Sequence, residues 1–342
     1  MAKQYAITDQ MKKSASNGER ILATEEEQLK VHEVRKLIGQ LSGKAAVYCS
    51  DSCILRYLIA RNWNVKKAAK MLKESLKWRA EYKPEEIRWA EIAHEAETGK
   101  IYRSNYYDKY ERPVLVLRPR CQNTKSTKGQ IRYFVYCMEN AILNLGPNQE
   151  KMVWLIDFHG FNVSHLSLKQ TKETAYVLQN HYPERLGLAI LYNPPKIFEP
   201  FWKVARAVLE PKTYNKVKFV YSDEPNTVRM MENFFDMDQI ESAFGGKDSV
   251  GFDISKYAER MEDDDMKMSL FWGQERLVSV LPEPPASLDT VKIESDLETS
   301  DDEKIDYSLL DSGIAASGGS TPEIDHPRLE LEVSCPTPEV KN

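Results

Sequence analysis

Two side chains invite a catalytic reading first. Asp157 and His159 close the apolar run MVWLIDF (residues 152–158). Two apart on an extended chain they point the same way, at the end of a strand where α/β proteins place ligands. The competing reading is a strand-end carboxylate that accepts from local amides, with His159 as a surface or packing group. Other signatures are incomplete. Gly245-Gly246-Lys247-Asp248 has only the tail of a phosphate loop: Ile240 stands where the first glycine belongs, and Asp248 replaces the hydroxyl after the lysine. No G-x-S-x-G elbow and no G-x-G-x-x-G turn occurs. The six histidines (His32, His94, His159, His165, His181, His326) lack metal-ligand spacing. The five cysteines (Cys49, Cys53, Cys121, Cys137, Cys335) form no framework and read as free thiols of a reducing compartment.

Charged groups set inside apolar sequence are more informative. Residues 197–209 (IFEPFWKVARAVL) present Ile197, Phe198, Phe201, Trp202, Ala205 and Val208, more aromatic area than one packed helix face usually needs. Such a helix either packs on a core, closes an apolar cavity as a lid, or enters a membrane surface. Two polar segments bracket it. Tyr182-Pro183-Glu184-Arg185-Leu186-Gly187 lies before it, and Glu210-Pro211-Lys212-Thr213-Tyr214-Asn215-Lys216 follows it.

The elements that would carry these groups follow from periodicity. Residues 1–23 read as a loose arm. Thr24-Glu25-Glu26-Glu27 is a capping box that opens a helix. Further helices are expected from Asp51, after Asn64 and from Pro84, giving a helical lobe over 24–99. The pattern then alternates. Strands are expected at 114–117, 152–158, 188–192 and 217–221, with helices at 128–145, 167–181, 197–209 and from 225. That is a βαβ rhythm and a largely parallel sheet over 100–281.

The 342 residues carry a net charge of −5, unevenly spread. From 282 onward there are 15 carboxylates and 4 cations, a net of −11, against +6 for the rest. The end of the chain, rich in Pro, Ser, Asp and Glu, reads as a disordered acidic tail. Ser295 and Ser300 precede acidic residues there, as acid-directed phosphorylation sites do. The basic body suits an anionic surface. No run of 18 apolar residues exists and the N-terminus has no signal-peptide core, so the expectation is a cytoplasmic protein that meets membranes from their surface.

Several segments together resemble the CRAL-TRIO lipid-binding family, in particular its phosphatidylinositol transfer branch in yeast and plants. They are residues 54–65 (ILRYLIARNWNV) with Lys77-Trp78-Arg79, residues 155–160 (LIDFHG), residues 180–187 (NHYPERLG), Tyr192-Asn193-Pro194-Pro195, and Phe244-Gly245-Gly246. The resemblance implies an α/β fold in which a helical N-terminal lobe precedes a sheet flanked by helices, enclosing an apolar lipid pocket under a lid at 197–209. It implies no enzyme chemistry and no cofactor. The expected ligand is phosphatidylinositol, held at its headgroup by Arg61, Glu184 with Arg185 beside it, Thr213 and Lys216. Arg and Lys suit a phosphodiester in a low-dielectric site, and Glu suits inositol hydroxyls. Phosphatidylcholine, the second lipid of the founding member, is bound there by two hydroxyl side chains. Here those positions are Met152 and Trp154, so a sterol or another neutral lipid is the alternative second ligand. The implied partners are cytosolic membrane surfaces and lipid kinases, with no nucleic acid and a monomeric chain. The implied role is lipid supply to phosphoinositide signalling and vesicle trafficking. The alternative is a lipid-sensing scaffold that does not carry lipid in bulk.

Overall fold

The computed structural model describes residues 24–162, 168–196, 198, 202 and 214–273. The arm at 1–23, most of the lid segment and the acidic tail lie outside these residues.

Four helices make the first packing unit. Helix α1 (Glu25–Ile38) starts with the expected capping box: Thr24 Oγ1 accepts from the Glu27 amide at 3.2 Å, and Glu27 Oε2 accepts from the Thr24 amide at 2.9 Å. A short α2 (Gly43–Tyr48) follows, too brief to show a sequence period. Helix α3 (Asp51–Ala60) is capped by Ser50, and α4 (Val65–Tyr82) by Asn64, whose side-chain oxygen accepts from the Lys67 amide at 3.0 Å. Val31, Val34, Cys53, Ile54, Leu58, Ala68 and Leu72 form their common core. The helix expected from Pro84 is only a single 3₁₀ turn, Pro84–Glu86, because Ile87 is extended at φ −65° and ψ 133°. The next helix, α5 (Trp89–Ala96), begins after it.

The second unit is a five-stranded sheet in the order β1-β2-β3-β4-β5. Strands β2 (Pro113–Leu117), β3 (Met152–Asp157), β4 (Leu186–Tyr192) and β5 (Val217–Val220) are parallel, as the alternating pattern requires. Strand β1 (Ile101–Tyr107, IYRSNYY) is an antiparallel edge strand that periodicity does not reveal. It has no apolar run, and its buried polar groups find partners only in the fold: Arg103 donates to Asn140 and to Asp264, each at 2.6 Å.

Helices α6 (Thr127–Leu143), α7 (Leu168–His181), α8 (Pro225–Phe234) and α9 (Ile254–Gly273) complete the unit. Helix α9 is locked to α5 and α6 by Asp265, which accepts from the Trp89 amide at 2.6 Å and the Tyr136 hydroxyl at 3.0 Å. None of the described helices is long and apolar enough to cross a membrane. The closing turn depends on Gly246: a Cβ there would stand 2.1 Å from the Ile240 carbonyl oxygen.

Candidate functional site

The polar segment between α7 and β4 is held from several directions. Ser75 of α4 donates to the Asn180 carbonyl at 2.7 Å. The Trp78 ring stacks on His181 with centroids 4.2 Å apart. The Tyr182 hydroxyl donates to Glu139 of α6 at 2.7 Å, and Arg79 of α4 donates to the same carboxylate at 2.8 Å. Arg185 donates to Glu150 at 2.7 Å, a carboxylate that it shares with Arg56 of α3. Burial and then the neighbouring Arg56 charge push the Arg185 guanidinium down to about 10. These contacts join the helical lobe to the sheet. They also explain how Glu184 is kept at φ +58°, a conformation costly for a residue with a Cβ unless its surroundings enforce it.

The left-handed turn separates neighbours. Glu184 accepts from Lys216 Nζ at 3.2 Å, with the two side chains 17% and 19% exposed. Lys216 sits at the entry to β5, where its carbonyl accepts from the Ala189 amide at 2.9 Å. Lys151, just ahead of β3, is part-buried beside this pair. Burial first, then Lys216, pull its amine below the usual lysine range. Arg112 acts in the same sense, and Glu184 opposes them. Arg112 is tied to Asp108 at 2.5 Å.

The structure brings together only part of the sequence-derived headgroup set. Glu184 and Lys216 meet. Among the described contacts Arg61 ends α3, its guanidinium donating to the Ala60 carbonyl at 3.2 Å, and is not drawn to that pair. Arg185 is turned away into the buried cluster with Arg56 and Glu150. Thr213 lies outside the described residues. Lys151, Arg112, Glu139 and Glu150 were not singled out by the sequence. Their roles depend on partners distant in the chain, and no local pattern announces them.

The apolar side of the site is the sheet face carrying Met152, Trp154 and Ile156. Trp154 and Ile156 stay part-exposed, whereas Val153 and Leu155 on the opposite face are fully buried. Phe198 packs on Phe158 (centroids 4.8 Å apart) and Trp202 on Phe219 (5.5 Å), in a cluster with Leu191, Ile156 and Val217. Ile197, Phe201, Ala205 and Val208, the other expected lid positions, lie outside the described residues. Met152 is fully buried. Trp154 meets Phe134 of α6 edge-on, and its indole N–H is buried without a hydrogen-bond partner among the described residues.

Among the described residues Asp157 and His159 do not meet through their side chains. Asp157 Oδ1 accepts from the His159 amide at 2.8 Å, the local amide role expected as the alternative to a catalytic pair. Among the described residues Cys49, Cys53, Cys121 and Cys137 are free thiols, and no three His, Cys, Asp or Glu side chains converge as metal ligands. What the site offers is a cation and an acceptor side by side, next to an apolar sheet face. That combination suits an amphiphile with an anionic, hydroxyl-bearing head.

Comparisons with known proteins identify the family. Residues 22–74 match the CRAL/TRIO N-terminal domain and residues 96–246 the CRAL/TRIO domain. The chain is 37% identical over 212 residues to a CRAL-TRIO domain-containing protein of Schizosaccharomyces pombe, covering 62% of this chain and 20% of that one. It is 29% identical over 270 residues to the phosphatidylinositol transfer protein CSR1 of Eremothecium gossypii, covering 72% and 61%. It is 31% identical over 219 residues to the phosphatidylinositol transfer protein PDR17 of Saccharomyces cerevisiae, covering 60% of each. The matched stretch thus spans a fifth to about three fifths of these relatives. The crystal structure of Sfh5 superposes with a TM-score of 0.50 at 17% identity, covering 69% of this chain and 82% of that one. With both domains in order, a helical lobe ahead of a mostly parallel sheet, and these relatives, the chain belongs to the CRAL-TRIO lipid-binding family.

Proposed function

We propose that this protein binds phosphatidylinositol and transfers it between membranes, without covalent chemistry. The observation that carries the reading is the half-buried Glu184–Lys216 pair, held at 3.2 Å by an enforced left-handed turn. A fold gains little from such a pair, because the desolvation of two charges offsets most of their attraction. A ligand that replaces the contact gains both groups at once: Lys216 for a phosphodiester oxygen and Glu184 for inositol hydroxyls. The acyl chains have the apolar sheet face beneath Phe198 and Trp202. Arg61 and Thr213 would complete the head site on lipid entry. The relatives named as phosphatidylinositol transfer proteins support this reading. The second lipid is proposed to be a hydrophobe other than phosphatidylcholine, since Met152 and Trp154 offer no hydroxyl.

The test is transfer of labelled phosphatidylinositol between vesicles. Lys216→Ala and Glu184→Ala are each expected to lower it roughly 30-fold or more, from the ~2–5 kcal/mol that truncating one partner of a buried charge contact costs. The melting temperature should change little. Wild-type transfer by both variants would remove the assignment. Binding without vesicle-to-vesicle transfer would favour the lipid-sensing scaffold.

A further inference from the structure

Lys151 is the cation that the phosphatidylinositol reading does not use. It precedes β3, part-buried, and no carboxylate among the described residues pairs with it. Glu184 is taken by Lys216, and Asp108 is taken by Arg112. Three cations therefore face two carboxylates, and the surplus charge is that of Lys151. A glycine makes the crowding possible. A Cβ on Gly187 would lie 2.9 Å from Arg112 Nη1 and 3.0 Å from Lys151 Cβ, so both side chains lie over that strand position. Gly187 also sits where the β3–β4 register shifts, between the Met152–Leu186 and Val153–Leu188 pairs. The cations thus come from just ahead of β3, just ahead of β5 and the β1–β2 connection, around Gly187 of β4. Keeping an unpaired lysine beside two other cations is unfavourable for the fold alone.

We propose that Lys151, with Lys216 and Arg112 over Gly187, forms a second anionic subsite next to Glu184 that takes a phosphomonoester. The inference rests on the phosphatidylinositol reading and sharpens it. A monophosphorylated phosphatidylinositol presents a diester and a monoester on one ring, and the monoester supplies an anion for the cation left without a partner. The same chemistry could also be met by free inorganic phosphate.

The experiment uses the full chain and its Lys151→Gln variant. Extraction of lipid is measured from phosphatidylcholine vesicles carrying either phosphatidylinositol or phosphatidylinositol 4-phosphate. Melting is followed with and without inorganic phosphate. A charge-assisted contact predicts that Lys151→Gln lowers the ratio of monophosphate to phosphatidylinositol extraction roughly tenfold or more. The ligand-free variant should melt no lower than the wild type, because a like-charge neighbour is gone. A structural lysine would instead lower the melt and leave the ratio alone. An unchanged ratio, with phosphatidylinositol still extracted and no phosphate-dependent melting, overturns the subsite and leaves the phosphatidylinositol reading standing. Extraction of neither lipid, with no effect of phosphate, overturns both. Thermal stabilisation by phosphate that Lys151→Gln abolishes, without a lipid preference, keeps the subsite and assigns it to free phosphate. Gly187→Ala provides an independent check: by displacing Arg112 and Lys151 it should lower the same ratio.

Discussion

Removing Glu139 should cost more than removing the whole ion pair to which it belongs. Glu139 is 4% exposed and accepts from Arg79 at 2.8 and 3.2 Å and from the Tyr182 hydroxyl at 2.7 Å. Burial works against its charge, but Arg79 and then Tyr182 hold the carboxyl below the usual carboxylate range. Glu139→Ala leaves a buried guanidinium whose one remaining ion pair among the described residues is to Glu85 at 3.3 Å, beside the Tyr48 and Trp272 rings, and leaves the Tyr182 hydroxyl unpaired. Breaking one side of a buried pair costs ~3–5 kcal/mol. Replacing both charges, as Arg79→Met with Glu139→Leu, removes the desolvation penalty together with the attraction. What remains is the orphaned Tyr182 hydroxyl, about 1–3 kcal/mol, and Glu85, which keeps Lys44 at 3.4 Å. The double variant is therefore expected to be about 2 kcal/mol more stable than Glu139→Ala. Urea unfolding of the wild type, Glu139→Ala, the component singles Arg79→Met and Glu139→Leu, and the double reads this directly, provided the slopes agree. Tyr182 stands two residues ahead of Glu184, so Glu139→Ala should also lower lipid transfer. Costs of the two singles that simply add in the double, within about 0.5 kcal/mol, would refute the buried-unit argument.

Three further outcomes are expected. Phe198 is 8% exposed, so Phe198→Ala should cost ~3–5 kcal/mol as a core truncation, whereas part-exposed Trp202→Ala should lower vesicle binding and transfer more than the melting temperature; parallel losses in both variants would argue against a lid. Burial and then Arg79 push His181 down to about 4 from an ordinary 6.5, so stability should be whole above about 6.5 and fall as the pH drops towards 4, where the unfolded chain binds the proton first. His181→Gln should flatten that part of the curve of melting temperature against pH, and an unchanged slope would contradict it. Gly246→Ala, whose Cβ would meet the Ile240 carbonyl oxygen at 2.1 Å, should severely destabilise the closing turn, read as loss of the cooperative melt; a wild-type melt would show that the turn can shift.

The sequence alone determined whatever is local or periodic. The Thr24 capping box, the Asn64 cap, the apolar runs of β2, β3, β4 and β5 and the helices α6 and α7 are written in neighbouring residues, because capping and amphipathic burial act over a few positions. The family motifs carried the lipid-binding assignment in the same way. Strand β1 was not legible, since Arg103 is tolerable in a strand only once Asn140 and Asp264 are beside it. The Pro84 turn failed as a helix start because Ile87, buried in the main core, is extended. At the site, the sequence named Glu184 and Lys216 but could not separate Glu184 from Arg185. Tertiary structure did so by forcing a left-handed turn that sends one side chain to Lys216 and the other to Glu150. Lys151 was invisible for the same reason. A surplus of charge is a property of what surrounds a residue, and only the folded sheet brings Lys151, Arg112 and Lys216 to one end of its strands.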